Sequence, residues 1–390
     1  MRLLPYVGVL LASVVTTLLA TPFVRYLAGR FGAIDRPSDR KVHPKPTPTL
    51  GGIAIWLGVL AGLGVATVIP AFEGIYDISS EPLGVAIAGT VVLALGAVDD
   101  VRGLTVPAKI AGQVLAGGVL ILFGVQLVYF WFPGLGVVSL STDLAVPLTL
   151  IWVLAMINAI NLIDGLDGLA AGVVTIAAAA FFVYAFRSPE PIFAGPSPAS
   201  LFSVVVVGSA IGFLPYNLNP ARIFMGDSGS MLLGLVLAAA TISGVGRSDV
   251  PTNPDLAALA IPVIIPLLVL AVPLTDVVLA VIRRMRRGRA VFRPDKEHIH
   301  HRLLEIGHSH RTAVMLMYLW SALLAASALA ITYVRSRLLA LVLVALVVLV
   351  LVGTAVPRVL RRNGRYGSAA YRASRREKNG RISARERAGG

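Results

Sequence analysis

Residues 145–186 read AVPLTLIWVLAMINAI (145–160), NLIDGLDG (161–168) and LAAGVVTIAAAAFFVYAF (169–186). Two apolar runs flank a short segment that carries Asn161, Asp164 and Asp167. A run of about 20 apolar residues crosses the hydrocarbon of a bilayer as a helix. Two such runs joined by a few polar residues read as a pair of membrane helices that turn at one membrane edge. Carboxylates are costly inside a membrane, so a cluster of them at such a turn marks a task.

The pattern recurs along the chain. Apolar runs lie near 3–24, 51–71, 83–98, 105–125, 145–160, 169–186, 198–214, 230–246, 256–282, 313–333 and 338–356, which predicts eleven spans. The first run follows Arg2, as in a signal peptide, but it ends in a basic segment rather than a small-residue cleavage site, so we read it as an uncleaved span. The composition agrees. The 390 residues are 56% hydrophobic and 14% charged, where a soluble domain carries about 25% charged residues. Mean hydropathy is +0.82. A soluble enzyme, a disordered chain and a secreted disulfide scaffold are excluded. The absence of cysteine excludes disulfides, thiolate catalysis and Cys-ligated metals. The expected fold class is therefore all-α: a polytopic helical membrane bundle spanning residues 1–356. The basic segment 357–390 reads as a disordered cytoplasmic tail or a lipid-headgroup arm. No internal repeat suggests the paired halves of a transporter.

The formal charge of +14 points, in so apolar a chain, to a bilayer surface and not to nucleic acid. Its distribution sets an orientation. Of the 34 Lys and Arg residues, Arg2, Arg187, Arg247, Arg335 and Arg337 fall on the side of the N-terminus and the loops after even-numbered spans; the other 29 lie on the opposite side. The positive-inside rule makes that opposite side, with the C-terminus, cytoplasmic, and places the N-terminus outside. The unusual polar segments share the cytoplasmic side.

Five of these segments carry chemistry. In DRPSDRKVHPKPTPTLGG (35–52) the prolines impose an extended loop, and Arg40, Lys41 and His43 offer donors suited to phosphate oxygens. A plain positive-inside anchor explains this loop equally well. GAVDD (96–100) places Asp99 beside Asp100 at a membrane boundary, where they want a cation or a proton; a solvated turn is the simpler alternative. Lys109 follows at the start of the next span, where it could meet a lipid phosphate.

NAINLIDGLDGL (158–169) spaces Asn158, Asn161, Asp164 and Asp167 by three, so the set would curve round a cavity wall. Their oxygens suit Mg²⁺ and can also read a nucleobase edge. IFMGDSGS (223–230) sets Asp227 between glycines at a helix start, where free N–H groups hold phosphate, with Phe224 available to stack on a flat ring. An N-cap would explain Ser228 without any substrate. HIHHRLLEIGHSHR (298–311) holds five of the six histidines within 13 residues. It lacks a zinc pattern, and with Arg302 it suits diphosphate oxygens better.

In this order the five segments resemble the polyprenyl-phosphate N-acetylhexosamine-1-phosphate transferases, over about residues 1–356. The HIHHRL form is similar to the WecA/TagO branch, whereas the MraY branch usually shows three consecutive histidines. Ala, Gly, Val and Arg richness, with the basic tail, points to an actinobacterial member. The resemblance implies transfer of N-acetylglucosamine 1-phosphate from UDP-N-acetylglucosamine to a polyprenyl phosphate (undecaprenyl or decaprenyl), releasing UMP. That is the first membrane step of a cell-envelope polysaccharide such as lipopolysaccharide, arabinogalactan or teichoic acid. It implies Mg²⁺, or Mn²⁺, held by Asn161 and Asp227. It places Asp167 and Phe224 at the uracil. Lys41, His298 and His300 fall near the phosphates, with His301 and Arg302 as neighbours. Asp99 matches the proposed general base, with Asp100 and Lys109 beside the lipid phosphate, and Asp164 is counted with Asp99 and Asp100 among the catalytic residues. It implies a multi-pass plasma-membrane enzyme, with homodimerisation left open. Another UDP-N-acetylhexosamine or a UDP-MurNAc-pentapeptide donor remains an alternative, as do a transporter and a lipid-binding scaffold.

Overall fold

The computed structural model describes residues 3–37, 45–132, 136–187, 196–244 and 309–333, with a few more between 342 and 348. Among these, the helices in chain order are α1 (Leu4–Arg30), α2 (Gly52–Ala66), α3 (Glu73–Ile78), α4 (Glu81–Arg102), α5 (Val106–Leu122), α6 (Thr142–Ile163), α7 (Leu169–Arg187), α8 (Pro198–Asn217), α9 (Gly226–Ser243) and α10 (His310–Tyr333). Two short antiparallel pairs complete the picture: β1 (Ile34–Asp35) with β2 (Thr47–Pro48), and β3 (Tyr129–Phe132) with β4 (Gly136–Ser139). The chain divides into two units, Met1–Ala340 and Leu341–Gly390; the architecture below is that of the first.

Seven of the described helices are long and apolar enough to cross a membrane, or eight if α2 and the segment Pro70–Ile78 form one bent span. The protein is thus a polytopic helical membrane protein. Nine of the eleven predicted runs coincide with described helices. The runs 256–282 and 338–356 lie outside the described residues or almost wholly so. The run predicted at 51–71 is not straight. α2 stops at Ala66, and the chain turns by 92° into Pro70–Ile78, because Pro70 cannot donate the backbone bond a continuing helix needs.

Helix ends follow local chemistry. Pro198 opens α8 behind a capping box of Ser197 and Ser200. Gly103, at φ 69°, closes α4, a conformation that costs glycine little. α9 is the central helix. Every residue from Ser228 to Ser243 is buried, and α2, α4, α6, α7 and α8 pack around it. A helix apolar on all sides belongs at the centre of a bundle. α1 packs on α2 and α8 at the periphery, leaving Val7, Leu11, Val15, Leu19 and Phe23 exposed at four-residue spacing, a face fit for lipid.

The candidate active site

At one end of the bundle the last turns of α4 and α6 meet the first turns of α5 and α9. This end carries the polar motifs at 96–100, 158–169 and 223–230. Glycines permit the approach. A Cβ at Gly96 of α4 or at Gly52 of α2 would run into the backbone of Ser228 and its neighbours, and one at Gly226 (φ 70°) would strike Asp100 and Thr49. The chain between β2 and α2 is also bonded to the segment before α9: Phe224 N–H donates to Pro48 O at 2.9 Å, Gly51 N–H to Phe224 O at 3.0 Å and Gly52 N–H to Met225 O at 3.0 Å. The glycines around Asp227 are therefore demanded by packing.

Asp99 and Asp100 are not in a turn. α4 continues to Arg102, so the two neighbours point in different directions. Asp100 caps α9: its Oδ1 accepts the Asp227 N–H at 2.8 Å, and its Oδ2 accepts the Ser228 N–H at 3.2 Å and the Ser228 hydroxyl at 2.8 Å. This corrects the sequence expectation that these N–H groups are free for phosphate. The cap arrives from another helix, and no local motif announces that. A carboxylate there also complements the positive end of the helix dipole.

Asp99 turns to the other side. Its Oδ1 accepts the Leu104 N–H at 2.6 Å, and its Oδ2 pairs with Lys109 Nζ at 2.5 Å. The same ammonium contacts Asp227 Oδ2. Asp227 Oδ1 accepts Asn161 Nδ2 at 2.7 Å, and that amide also donates to Ser230 Oγ at 2.9 Å. Lys109 thus joins a carboxylate of α4 to one of α9, and Asn161 adds α6. One turn further into the bundle, Asn158 Nδ2 donates to Gln113 Oε1 at 2.8 Å, bracing α6 against α5 beneath Asn161 and Lys109.

α6 ends at Ile163. Asn158 and Asn161 are helical, whereas Asp164 and Asp167 lie in the turn to α7, so the regular curvature expected of the four residues stops halfway. Burial first, then the charges of Asp227, Asp100 and Asp167, hold the Asp164 carboxyl well above the ordinary carboxylate range. Among the described residues, the site carries more negative charge than Lys109 offsets. Among the described residues, no three His, Asp or Glu side chains form a ready-made metal cage.

Asp167 faces the loop between α8 and α9. Its Oδ2 accepts Asn219 Nδ2 at 2.8 Å and the Ala221 N–H at 3.0 Å. Buried Asn217 ties the two loops together, accepting the Gly168 N–H at 3.1 Å and donating to Ile223 O at 3.1 Å. α10 closes this side. Tyr318 donates to Gly168 O, and Arg311 donates to Asn219 O at 3.1 and 3.3 Å. Phe224 is half-buried nearby.

The structure therefore brings Asp99, Lys109, Asn161 and Asp227 into one bonded set, with Asp100 behind them. Asp164 is electrostatically part of the set, and Asp167 and Phe224 lie on the flanking loops. Lys41, His298, His300, His301 and Arg302 lie outside the described residues. Gln113, Asn217, Asn219 and Tyr318 were not singled out from the sequence. Gln113 had a signal, an amide within an apolar run one turn from Lys109; Asn217 and Tyr318 act through backbone groups and Asn219 through the distant Asp167, and these had none.

Comparison with known proteins gives the family. The model of glycosyl transferase family 4 matches residues 82–245, the stretch running from α4 through α9. The decaprenyl-phosphate N-acetylglucosaminephosphotransferase of Mycobacterium leprae (strain TN) is 40% identical over 372 residues, covering 93% of this chain and 92% of that protein. Its namesake in Mycobacterium tuberculosis (strain ATCC 25618 / H37Rv) is 39% identical over 375 residues, 94% of this chain and 91% of that one. The undecaprenyl-phosphate alpha-N-acetylglucosaminyl 1-phosphate transferase of Escherichia coli (strain K12) is 30% identical over 312 residues, 78% and 77% of the two chains. With the five motifs in order and likeness over nearly its whole length, the chain belongs to glycosyl transferase family 4.

Proposed function

We propose that the chain transfers N-acetylglucosamine 1-phosphate from UDP-N-acetylglucosamine to a polyprenyl phosphate, giving polyprenyl-diphospho-N-acetylglucosamine and UMP. The observation that carries this is the convergence of Asp99, Lys109, Asn161 and Asp227 at one end of an apolar bundle. There a soluble, charged donor can meet a lipid phosphate. The relatives' names support the polyprenyl acceptor and the sugar phosphate, and the mycobacterial ones make decaprenyl phosphate the first acceptor to test.

Phosphoryl transfer needs positioning and charge neutralisation more than covalent help. Lys109 supplies a compact positive charge at the point where α4, α5 and α9 meet. Asp99 lies beside it, placed to orient the lipid phosphate or take its last proton. That phosphate, with a second pKa near ~6 by analogy with phosphoamino acids, is mostly dianionic already, so we assign Asp99 chiefly to orientation. Asp167 has one oxygen engaged by Asn219 and Ala221, which leaves the other to accept an N–H of a nucleobase, with Phe224 to stack on its ring. Lys41, His298, His300, His301 and Arg302 are assigned to the diphosphate by resemblance alone.

The donor set fits Mg²⁺. It consists of hard oxygens, and the neighbouring carboxylates, which add to burial in lifting the Asp164 carboxyl, are a crowding of charge that a cation relieves. Mg²⁺ is ordinarily held by one or two carboxylates together with substrate phosphates, so the lack of a three-residue cage among the described residues is no obstacle. Asp227 and Asn161 would hold the ion. When bound it would neutralise the donor diphosphate and favour departure of UMP.

The strongly one-sided Lys and Arg distribution supports a plasma-membrane protein of eleven spans with this end of the bundle in the cytoplasm. The test is release of UMP by the purified protein in detergent with decaprenyl phosphate, UDP-N-acetylglucosamine and Mg²⁺. Release must fail when lipid or metal is omitted. Protease accessibility of the C-terminal tail in oriented vesicles checks the side.

A further inference from the structure

Both oxygens of Asp227 are engaged. Oδ1 accepts Asn161 Nδ2 at 2.7 Å, and Oδ2 is taken by Lys109. Lys109 is bound to two carboxylates at once, since Asp99 Oδ2 lies 2.5 Å from the same nitrogen. The two carboxylates come from different helices and would otherwise repel each other. Both are held from their own side: the Asp99 carboxylate by the Leu104 N–H, the Asp227 backbone by the Asp100 cap on its N–H. Lys109 is not fixed in that way. Its side chain is a flexible stem in the first turns of α5, 21% exposed. A lysine ammonium is a compact, strongly hydrated charge that exchanges partners readily, with no planar fork to lock it in place.

A divalent cation on Asp227 would contend with Lys109 for the same oxygen and would meet a like charge there. The ammonium on Oδ2 therefore opposes a cation there by its charge. We infer that Lys109 is an exchangeable counter-ion: it holds Asp99 and Asp227 together until a diphosphate offers it a new partner, and until then it weakens the site for a free divalent cation. The inference rests on the reading of Asp227 as a metal ligand and adds an order of events to it. Metal enters with the nucleotide, because the phosphate oxygens draw the ammonium away as the cation takes the carboxylate. Metal and nucleotide binding are then coupled through one side chain, and the coupling is reciprocal.

The experiment measures Mn²⁺ binding to the purified full chain in detergent, from the loss of the free-ion EPR signal beyond that which the same UDP causes without protein, with and without UDP. The account expects weak binding to the wild type without UDP and a large gain when UDP is added. Lys109→Met should bind Mn²⁺ about tenfold tighter than the wild type without UDP, the scale of one nearby unit charge. It should also gain much less from UDP. Lys109→Arg keeps the charge and should stay near the wild type. Asp227→Asn should lose the site in every background.

Tighter binding is the opposite of what damage to the fold produces, so a merely structural lysine cannot mimic it. If Lys109→Met binds no tighter than the wild type, while Asp227→Asn abolishes binding, the counter-ion role is overturned and the metal reading stands. If Mn²⁺ binding is indifferent to Asp227→Asn, the metal reading falls and takes the inference with it. The wild type alone gives a second check, independent of how any variant folds: Mn²⁺ and UDP that bind without influencing each other contradict the proposal.

Discussion

The bundle contains two places where glycines bring helices unusually close, and they are built differently. In the seam between α1, α2 and α8, Gly58 and Gly62 face Thr17 and Ser13. Among the described residues, the buried hydroxyls of Ser13, Thr17 and Ser209 have no hydrogen-bond partner there. At the start of α9, Gly52, Gly96 and Gly226 face backbone and carboxylate, and the polar groups are bonded to one another across α4, α5, α6 and α9. The seam is contact without polar purpose. At the site, the same close approach fixes where charges sit. The difference predicts that substitutions in the seam act on stability by degrees, and that those at the site act on stability and chemistry together.

Gly96→Ala should break the comparison most sharply. Its Cβ lands on the backbone of α9, which cannot step aside, so we expect a loss of about 3 kcal/mol, the upper end for overpacking, and little UMP release from what folds. Asp100→Ala comes next. It removes the cap on Asp227 and Ser228, for a loss of about 2 kcal/mol in thermal unfolding and a fall in turnover larger than the change in substrate affinity. An Asp100→Ala enzyme with normal turnover would show that the cap does not position Asp227.

Asp164→Asn probes the burial and crowding of charge together. A carboxyl raised in the folded state is protonated there more readily than in the unfolded chain, so it takes stability away as pH climbs from the ordinary carboxylate range towards its raised value. Asparagine does not titrate. The metal-free variant should therefore unfold about 2–4 °C above the wild type at neutral pH, and the gap should close as pH falls into the ordinary carboxylate range. A variant less stable at neutral pH would contradict the crowding. The smallest effect belongs to the seam. Gly58→Ala meets the Thr17 hydroxyl and, at the margin, the Ser13 carbonyl oxygen and should cost about 1 kcal/mol, with turnover per folded molecule unchanged.

The same contrast explains what the sequence made legible. The seam and the other apolar helices announce themselves by length and hydropathy, and nine of the eleven predicted runs coincide with described helices. The site residues were legible because polar groups at the ends of apolar runs are costly without a task. Their geometry was less so. Asp99 and Asp100 are equivalent as letters, yet one meets Lys109 and the other caps α9, and only the continuation of α4 to Arg102 separates them. The bend after Ala66 was signalled by Pro70 and still read as one run, because hydropathy does not register direction. The β3–β4 pair and the bonds of Asn217 and Asn219 to distant loops had no local pattern to find.

The central claim is that the cluster around Asp227 performs phosphosugar transfer onto a prenyl lipid. It is tested most directly by following UMP release from UDP-N-acetylglucosamine by the wild type and Asp227→Ala, each with and without decaprenyl phosphate and Mg²⁺. The account predicts release from the wild type only when both lipid and metal are present, reduced about 10³-fold or more in the variant. Release that persists in a folded Asp227→Ala protein, or a wild type silent across UDP-sugars and prenyl lengths, would contradict it.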